Sequence, residues 1–304
     1  MAAQNFPETN LQTQAVLDNF IEKSVDYSNR FADELTGFAE ALGITRPFPV
    51  QEGFKIKLYT KPEVDLADGN VAEGDIIPLS KVTPQPHSEK EITLKKYRKA
   101  TSAEAIQRYG IDQAINLTDD ALVGEIQKGI RDDLFTMVQA GQETDNLSEG
   151  LQGALATAWG AVQVAFEDDT VGTVVFAHPL DVAETIANKQ LTLETRFGLN
   201  YYTDATGTTV FTSTQVERGS IYATAPDNLQ IAYVPANSDM GRAFGLTSDS
   251  TGYLGMKHFT HDESATQQTL VMSGVLMFPE RVDGVIKVPL VADGTDNDGG
   301  GVEG

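Results

Sequence analysis

His258 and His261 stand three residues apart, the one close pair among four histidines. On a helix that spacing could turn two ring nitrogens toward a zinc ion. The neighbours Gly252, Tyr253, Gly255 and Thr260 do not read as helix, and no HExxH pattern accompanies them. The expectation is therefore a surface or interface pair rather than a metal site. Glu167, Asp168 and Asp169 form a carboxylate run ahead of His178, a donor set that a metal-assisted hydrolase could use. The plainer reading is a solvated turn between a helix and a strand. Asp293, Asp296 and Asp298 match a calcium loop in composition, but the alternating ligands and closing glutamate are missing, so residues 291–304 read as a disordered acidic tail. Lys95-Lys96-Tyr97-Arg98-Lys99 is the one dense basic cluster. It could meet phosphate; the reading preferred for an acidic chain is a strand end whose cations meet carboxylates on the same or another subunit.

Other chemistries are excluded outright. The 304 residues contain no cysteine, which removes disulfides, thiol catalysis and cysteine-ligated metals. There is no G-x-S-x-G elbow, no Walker A loop and no G-x-G-x-x-G fingerprint. No catalytic, cofactor-binding or metal-binding residue is assigned. With 44 acidic against 22 basic residues the formal charge is −22, a poor surface for gripping nucleic acid or anionic lipid. MAAQNFPETN lacks a secretory signal, and the most apolar stretch, residues 154–166, is too short to span a bilayer, so no membrane partner is expected.

The elements that would position any site follow from periodicity. Leu17, Phe20, Ile21, Phe31, Leu35, Phe38 and Leu42 predict a helix within residues 10–42, stopped by Gly43 and the Pro47/Pro49 pair. From Gly53 the period changes to two, with Phe54, Ile56 and Leu58 on one face of a strand; Ile92 and Leu94 predict the returning strand. The Pro/Gly-rich segment between them is too long for an ordinary loop and reads as an arm that needs a support. Lys55 and Lys57 against Glu89 and Glu91 would pair across its base. Net charge divides unevenly: −5 over residues 1–54, +2 over 55–108 and −19 over 109–304.

Thr118 or a following aspartate would cap a helix running to Ala140, with Asp119 and Asp120 in its first turn and Gly141 as its C′ residue. Its buried stripe would be Leu122, Ile126, Ile130, Leu134, Met137 and Val138, weakened locally by Gly124 and Gly129. A second helix over Leu151–Phe166 reads as buried, with Trp159 in it. Then come a strand at 173–176, a helix started by Pro179, and strands at 209–212, 220–224 and 230–234. Two last strands, Leu270–Phe278 and Val285–Pro289, complete the series.

In order and spacing these elements resemble the tailed-bacteriophage major capsid protein family, whose fold is shared with encapsulin shells and the herpesvirus capsid floor. The resemblance covers about Gly53 to Leu290. Ile92-Thr93-Leu94-Lys95-Lys96-Tyr97 followed by Ser102-Ala103-Glu104 is similar to the family's return strand, and the helix to Ala140 resembles its spine helix. Phe176-Ala177-His178-Pro179 and Gly207 through Tyr222 are similar to its axial domain, and Gly274–Leu290 to strands that return to the peripheral domain.

The resemblance implies an α+β fold divided into an N-terminal arm (1–50), an extended-loop hairpin or E-loop (51–99), a peripheral domain with the spine helix (100–148), an axial domain (149–262), return strands (263–290) and the tail (291–304). It implies a non-enzymatic shell protein: hexamers and pentamers forming an icosahedral virion capsid around double-stranded DNA, which it contacts weakly, assembled in the host cytoplasm. An encapsulin-like compartment is the alternative reading, and a soluble metal-dependent hydrolase the third. About fifty residues precede the hairpin, so a separate scaffolding protein and a portal are implied partners. Lys61, Pro62, Gly69, Gly74, Pro78 and Lys81 are the expected intersubunit arm residues. Gly124 and Gly129 are the expected points of bending in the spine helix.

Overall fold

Two long helices and four sheets surround three apolar cores in the computed structural model, which describes residues 14–44, 47–145, 150–189, 193–204 and 207–290. In chain order the elements are α1 (Gln14–Leu42), β1 (Phe48–Pro49), β2 (Lys55–Asp65), β3 (Lys81–Glu91), β4 (Lys95–Ser102), α2 (Ala103–Tyr109) and α3 (Ile111–Val138). Next come β5 (Gln142–Glu143), α4 (Gly150–Phe166), β6 (Val174–Ala177), α5 (Pro179–Lys189), β7 (Glu194–Arg196), β8 (Leu199–Thr203), β9 (Thr209–Thr212) and β10 (Ser220–Thr224). The chain closes with β11 (Leu229–Tyr233), α6 (Asp239–Phe244), β12 (Leu254–His261), β13 (Thr266–Ser273), β14 (Val275–Pro279) and β15 (Ile286–Pro289). The start of the helix expected within residues 10–42, the side chains of Leu17, Phe20 and Ile21, and the acidic tail 291–304 lie outside the described residues.

Helix α1 forms because Tyr27, Phe31, Leu35, Phe38 and Leu42 recur at intervals of three and four, and all five are buried. Each such side chain contributes about 1.5–3 kcal/mol through burial. Gly43 ends the helix at φ +81°, where a Cβ would also meet Pro226 at 2.7 Å. Phe31 and Phe38 pack on Phe197, with ring centroids 5.8 and 5.6 Å away. Phe197 sits in a β7–β8 hairpin that the sequence reading passed over. That hairpin turns at Phe197 and Gly198, both with positive φ, and alternation is too short there to stand out.

The seven-stranded sheet runs β5-β15-β10-β6-β9-β8-β7, and strict alternation assigns its faces. Val175, Ala177, Val210, Ile221, Ala223, Ile286 and Val288 pack under α4 with Ala154, Leu155, Ala158 and Val162. Val174, Phe176, Phe211 and Tyr222 face α1 and α3 on the other side. Burial on both faces explains why these strands read as unbroken β-branched and aromatic runs. One expectation fails here: Trp159 is 42 % exposed, because it lies on the face of α4 turned away from the sheet.

Three further expectations are corrected. Helix α3 begins at Ile111, with Gly110 at φ +80° separating it from α2, so Thr118 is interior and its hydroxyl donates back to the Ala114 carbonyl. Asp119 consequently lies in the third turn, in line with Ile115 and Val123 on the buried stripe. Gly141 is not a left-handed C′ residue; it is needed because a Cβ would meet the Val285 carbonyl oxygen at 2.7 Å, where β5 joins β15. The Leu270–Phe278 block is two strands, broken at Gly274: β13 pairs with β4 and β12, whereas β14 pairs with β11 in another sheet.

Candidate functional site

The arm is a two-stranded antiparallel ribbon, β2 against β3, extending the sheet pairing much further than the alternating residues alone implied. Its register sets Lys55 opposite Glu91 and Lys57 opposite Glu89, as the charges suggested, with the second pair at 4.0 Å. Ile92 and Leu94 are buried as expected, yet they follow β3 rather than forming it, and with Ile56 and Leu58 they pin the root of the arm into a core containing Met137 and Met272. Phe54, expected on the same face as these, is half exposed. Register breaks fall between Leu58 and Tyr59 and between Thr60 and Glu63, which leaves Pro62 and Pro84 outside the regular pairing, where a missing N–H costs no ladder bond.

A clamp holds the arm's base. The Tyr59 N–H donates to the Glu280 carbonyl at 3.1 Å, the Val282 N–H donates to the Tyr59 carbonyl at 3.0 Å, and the Lys61 N–H donates to the Asp283 carboxylate at 3.0 Å. The Lys61 ammonium pairs with Glu167, and this contact holds the Glu167 carboxyl below its ordinary range. Arg281 pairs with Asp283 at 2.7 Å and lies over the Phe166 ring at 5.0 Å, linking the clamp to the end of α4.

Beyond Lys61 the arm leaves the body. Asp65 and Lys81 are the last pair, and the tip 66–80 carries Gly69 and Gly74 with open space around both. Pro78 is exposed in the tip, Ile76 is 94 % exposed, Leu79 is 97 % exposed, and Leu66 and Ile77 are nearly as bare. Ile76, Ile77 and Leu79 thus form an uncovered apolar patch at the end of the ribbon. Gly124 and Gly129 lie on the outer side of α3, again with nothing within reach of a Cβ, so internal packing does not require them.

The candidate chemical residues are used locally. Asp168 accepts from the N–H and hydroxyl of Thr170, which lowers its pKa and makes this run the turn it was read as. His178 Nδ1 accepts from the Leu180 N–H at the start of α5. His258 and His261 lie on a strand, where a spacing of three puts them on opposite faces. His261 meets Ser264 at 2.9 Å. His258 corrects the surface expectation, since its side chain is 2 % exposed.

Asp119, fully buried, accepts from His258 Nε2 at 2.8 Å, and Ser24 Oγ lies 2.6 Å from His258 Nδ1. A carboxylate only accepts, so Nε2 bears the proton, and in the neutral ring Nδ1 accepts from Ser24. Lys99 completes the cluster 2.7 Å from Asp119, with its ammonium also donating to the Ile115 carbonyl at 2.9 Å. The Ser-His-Asp combination attaches each partner to the ring nitrogen opposite to the one it uses in a hydrolase triad, and it is sealed from substrate. It ties α1, α3, β4 and β12 together. The signal for it was Asp119 itself, four residues from both Ile115 and Val123. Among the described residues, no group of three or more His, Cys, Asp or Glu is placed to hold a metal ion, and no helix is long and apolar enough to cross a membrane.

No family profile and no curated protein sequence matches the chain. Solved structures do. The capsid of a native GTA particle aligns with 84 % of this chain and 90 % of its own at 10 % identity and a TM-score of 0.52. The SrpI encapsulin of Synechococcus elongatus PCC 7942 aligns with 84 % of this chain and 88 % of its own at 13 % identity and 0.51. A Mycobacterium phage Che8 structure covers 79 % of this chain and 85 % of its own at 12 % identity and 0.49. Together with the arm, the long helix α3 and the sheet order, the first two alignments establish that this chain has the HK97-like major-capsid-protein fold.

Proposed function

We propose that the protein is the major capsid protein of a tailed bacteriophage, a shell subunit that associates as hexamers and pentamers around double-stranded DNA. The observation that carries this reading is the arm: a ribbon clamped rigidly at Lys61, Asp283 and Arg281, ending in bare Ile76, Ile77 and Leu79. Such a projection is unfavourable in an isolated subunit and favourable where a neighbour buries it. Lys61, Pro62, Gly69, Gly74, Pro78 and Lys81 belong to this intersubunit arm in the proposal. Gly124 and Gly129 are the proposed bending points as the shell matures, and a scaffolding protein and portal are the proposed assembly partners. The charge of −22 suits a container wall, since a strongly cationic lining would hold DNA and resist its release. An encapsulin-like compartment is the second reading, favoured by the SrpI alignment; copurifying contents, DNA or protein, separate the two.

The test is excision of the tip. Asp65 and Lys81 face each other, so Asn-Gly in place of residues 66–80 closes the ribbon with a two-residue turn. The shortened chain is expected to keep its circular dichroism and to sediment as a small species while the intact chain forms shells. Closed shells from the shortened chain would refute the arm as the clamp; an intact chain that stays a small oligomer would refute the shell reading itself.

A further inference from the structure

Helix α3 presents Lys128 and Arg131 on one face, at a spacing of three, to the place where the β7–β8 turn and the start of α5 meet. They line a cleft of about 220 Å³ together with Pro179, Gly198, Asn200 and Thr214. No aspartate or glutamate lines it, although the chain carries 44 of them. The larger cleft beside Lys61 and Arg281 shows the contrast, since Glu143, Asp145 and Asp283 line it as well.

Arg131 is half-buried, and burial holds its pKa below the ordinary value against the pull of Asp132, Glu125 and Glu34. Among the described residues it forms no ion pair; its hydrogen bond runs from Nη1 to the Phe197 carbonyl at 2.5 Å, which leaves most of the guanidinium donors unused. At Gly198, with φ +71°, a Cβ would meet that guanidinium at 2.8 Å, so glycine keeps the space beside it open. Lys128 reaches only Glu125, at 3.9 Å on the exposed surface of α3. Asp132, next to Arg131 in the chain, is held by the Gln215 amide. The Asn200 carboxamide accepts from Thr195 through its oxygen, so its NH2 is uncommitted, and Thr214 is exposed with a hydroxyl that has no partner among the described residues.

We propose that this cleft binds a phosphate group, held by Arg131 and Lys128 with Asn200 and Thr214 as neutral donors. A carboxylate offers its two oxygens in one plane, whereas a tetrahedral phosphate meets donors converging from α3, β8 and the loop after β9. The bound anion ties α3 to the seven-stranded sheet just beyond Gly129. Free phosphate and a nucleic-acid backbone present the same group. The inference stands apart from the shell reading, because all of its residues belong to one subunit.

Isothermal titration of inorganic phosphate into the full chain at constant ionic strength is expected to show one site per subunit, and phosphate at about 100 times Kd to raise the melting temperature by about 4 °C. Lys128→Ala and Thr214→Asp alter exposed side chains, so both should keep the wild-type melting temperature in chloride. Each should weaken phosphate binding at least about tenfold, the second by setting a carboxylate in the cleft. A short DNA duplex that displaces the phosphate assigns the group to a nucleic-acid backbone; one that does not assigns it to the free ion. Neither heat nor stabilisation with phosphate in the wild type, or undiminished binding by Lys128→Ala and Thr214→Asp, would overturn the site.

Discussion

Asp119→Asn isolates the charge of the buried cluster at almost constant shape. The asparagine oxygen still accepts from His258 Nε2, so the hydrogen bond between β12 and α3 survives; the negative charge facing Lys99 does not. Lys99 is 18 % exposed and keeps its contact with the Ile115 carbonyl, so its ammonium becomes a largely buried cation without a counter-charge. Removing one partner of a buried pair costs roughly 3–5 kcal/mol, and the residual exposure of Lys99 puts this case at the low end, about 3 kcal/mol. For a chain of this size the melting temperature should fall by about 5 °C. Calorimetry on the tip-shortened subunit, which does not assemble in the proposed scheme, reads this without interference from shell contacts. Adding Lys99→Met to Asp119→Asn should recover most of the loss, because the stranded cation is then gone. A loss under about 1 kcal/mol, or a double variant no more stable than Asp119→Asn, would refute the argument that an ion pair between Lys99 and Asp119 locks these elements.

Two further outcomes follow from the glycines. Gly141→Ala should destabilise by about 1–3 kcal/mol in urea denaturation, because the new Cβ would sit 2.7 Å from the Val285 carbonyl oxygen and force β5 from β15; an unchanged midpoint would show that the contact yields freely. Gly124→Ala with Gly129→Ala should stabilise the subunit by about 1 kcal/mol per site, since both positions are open and helical. The same variant should hold α3 straight in shells that mature slowly or not at all; immature and mature wild-type shells with identical straight helices would end the bending proposal.

Much of the body was legible in the residues. Continuous runs bounded by turn residues located the strands at Thr209–Thr212 and Ser220–Thr224 to the residue, and Pro179 marked the start of α5, because a strand buried on both faces and a proline-started helix are local signals. The start of α3 was not legible: Ile111 through Leu117 carry no sharp period, and a threonine followed by two aspartates imitates a cap. The β12 strand and the β7–β8 hairpin were missed because short or Gly-interrupted alternation gives little to count.

Composition and order by themselves determined the absence of thiol chemistry, the acidic surface, the existence of an arm too long to be a loop, and the order of elements, since each depends on residues near one another in the chain. The tertiary structure alone decided what a residue faces. Asp119, His258, Ser24 and Lys99 are scattered over 235 positions and meet only because α1, α3, β4 and β12 converge. Likewise strand alternation separates Lys96 and Arg98 from Lys95 and Lys99, but only the packing of α3 against one face of β4 decides that Lys95 and Lys99 are the pair that meets Asp133 and Asp119.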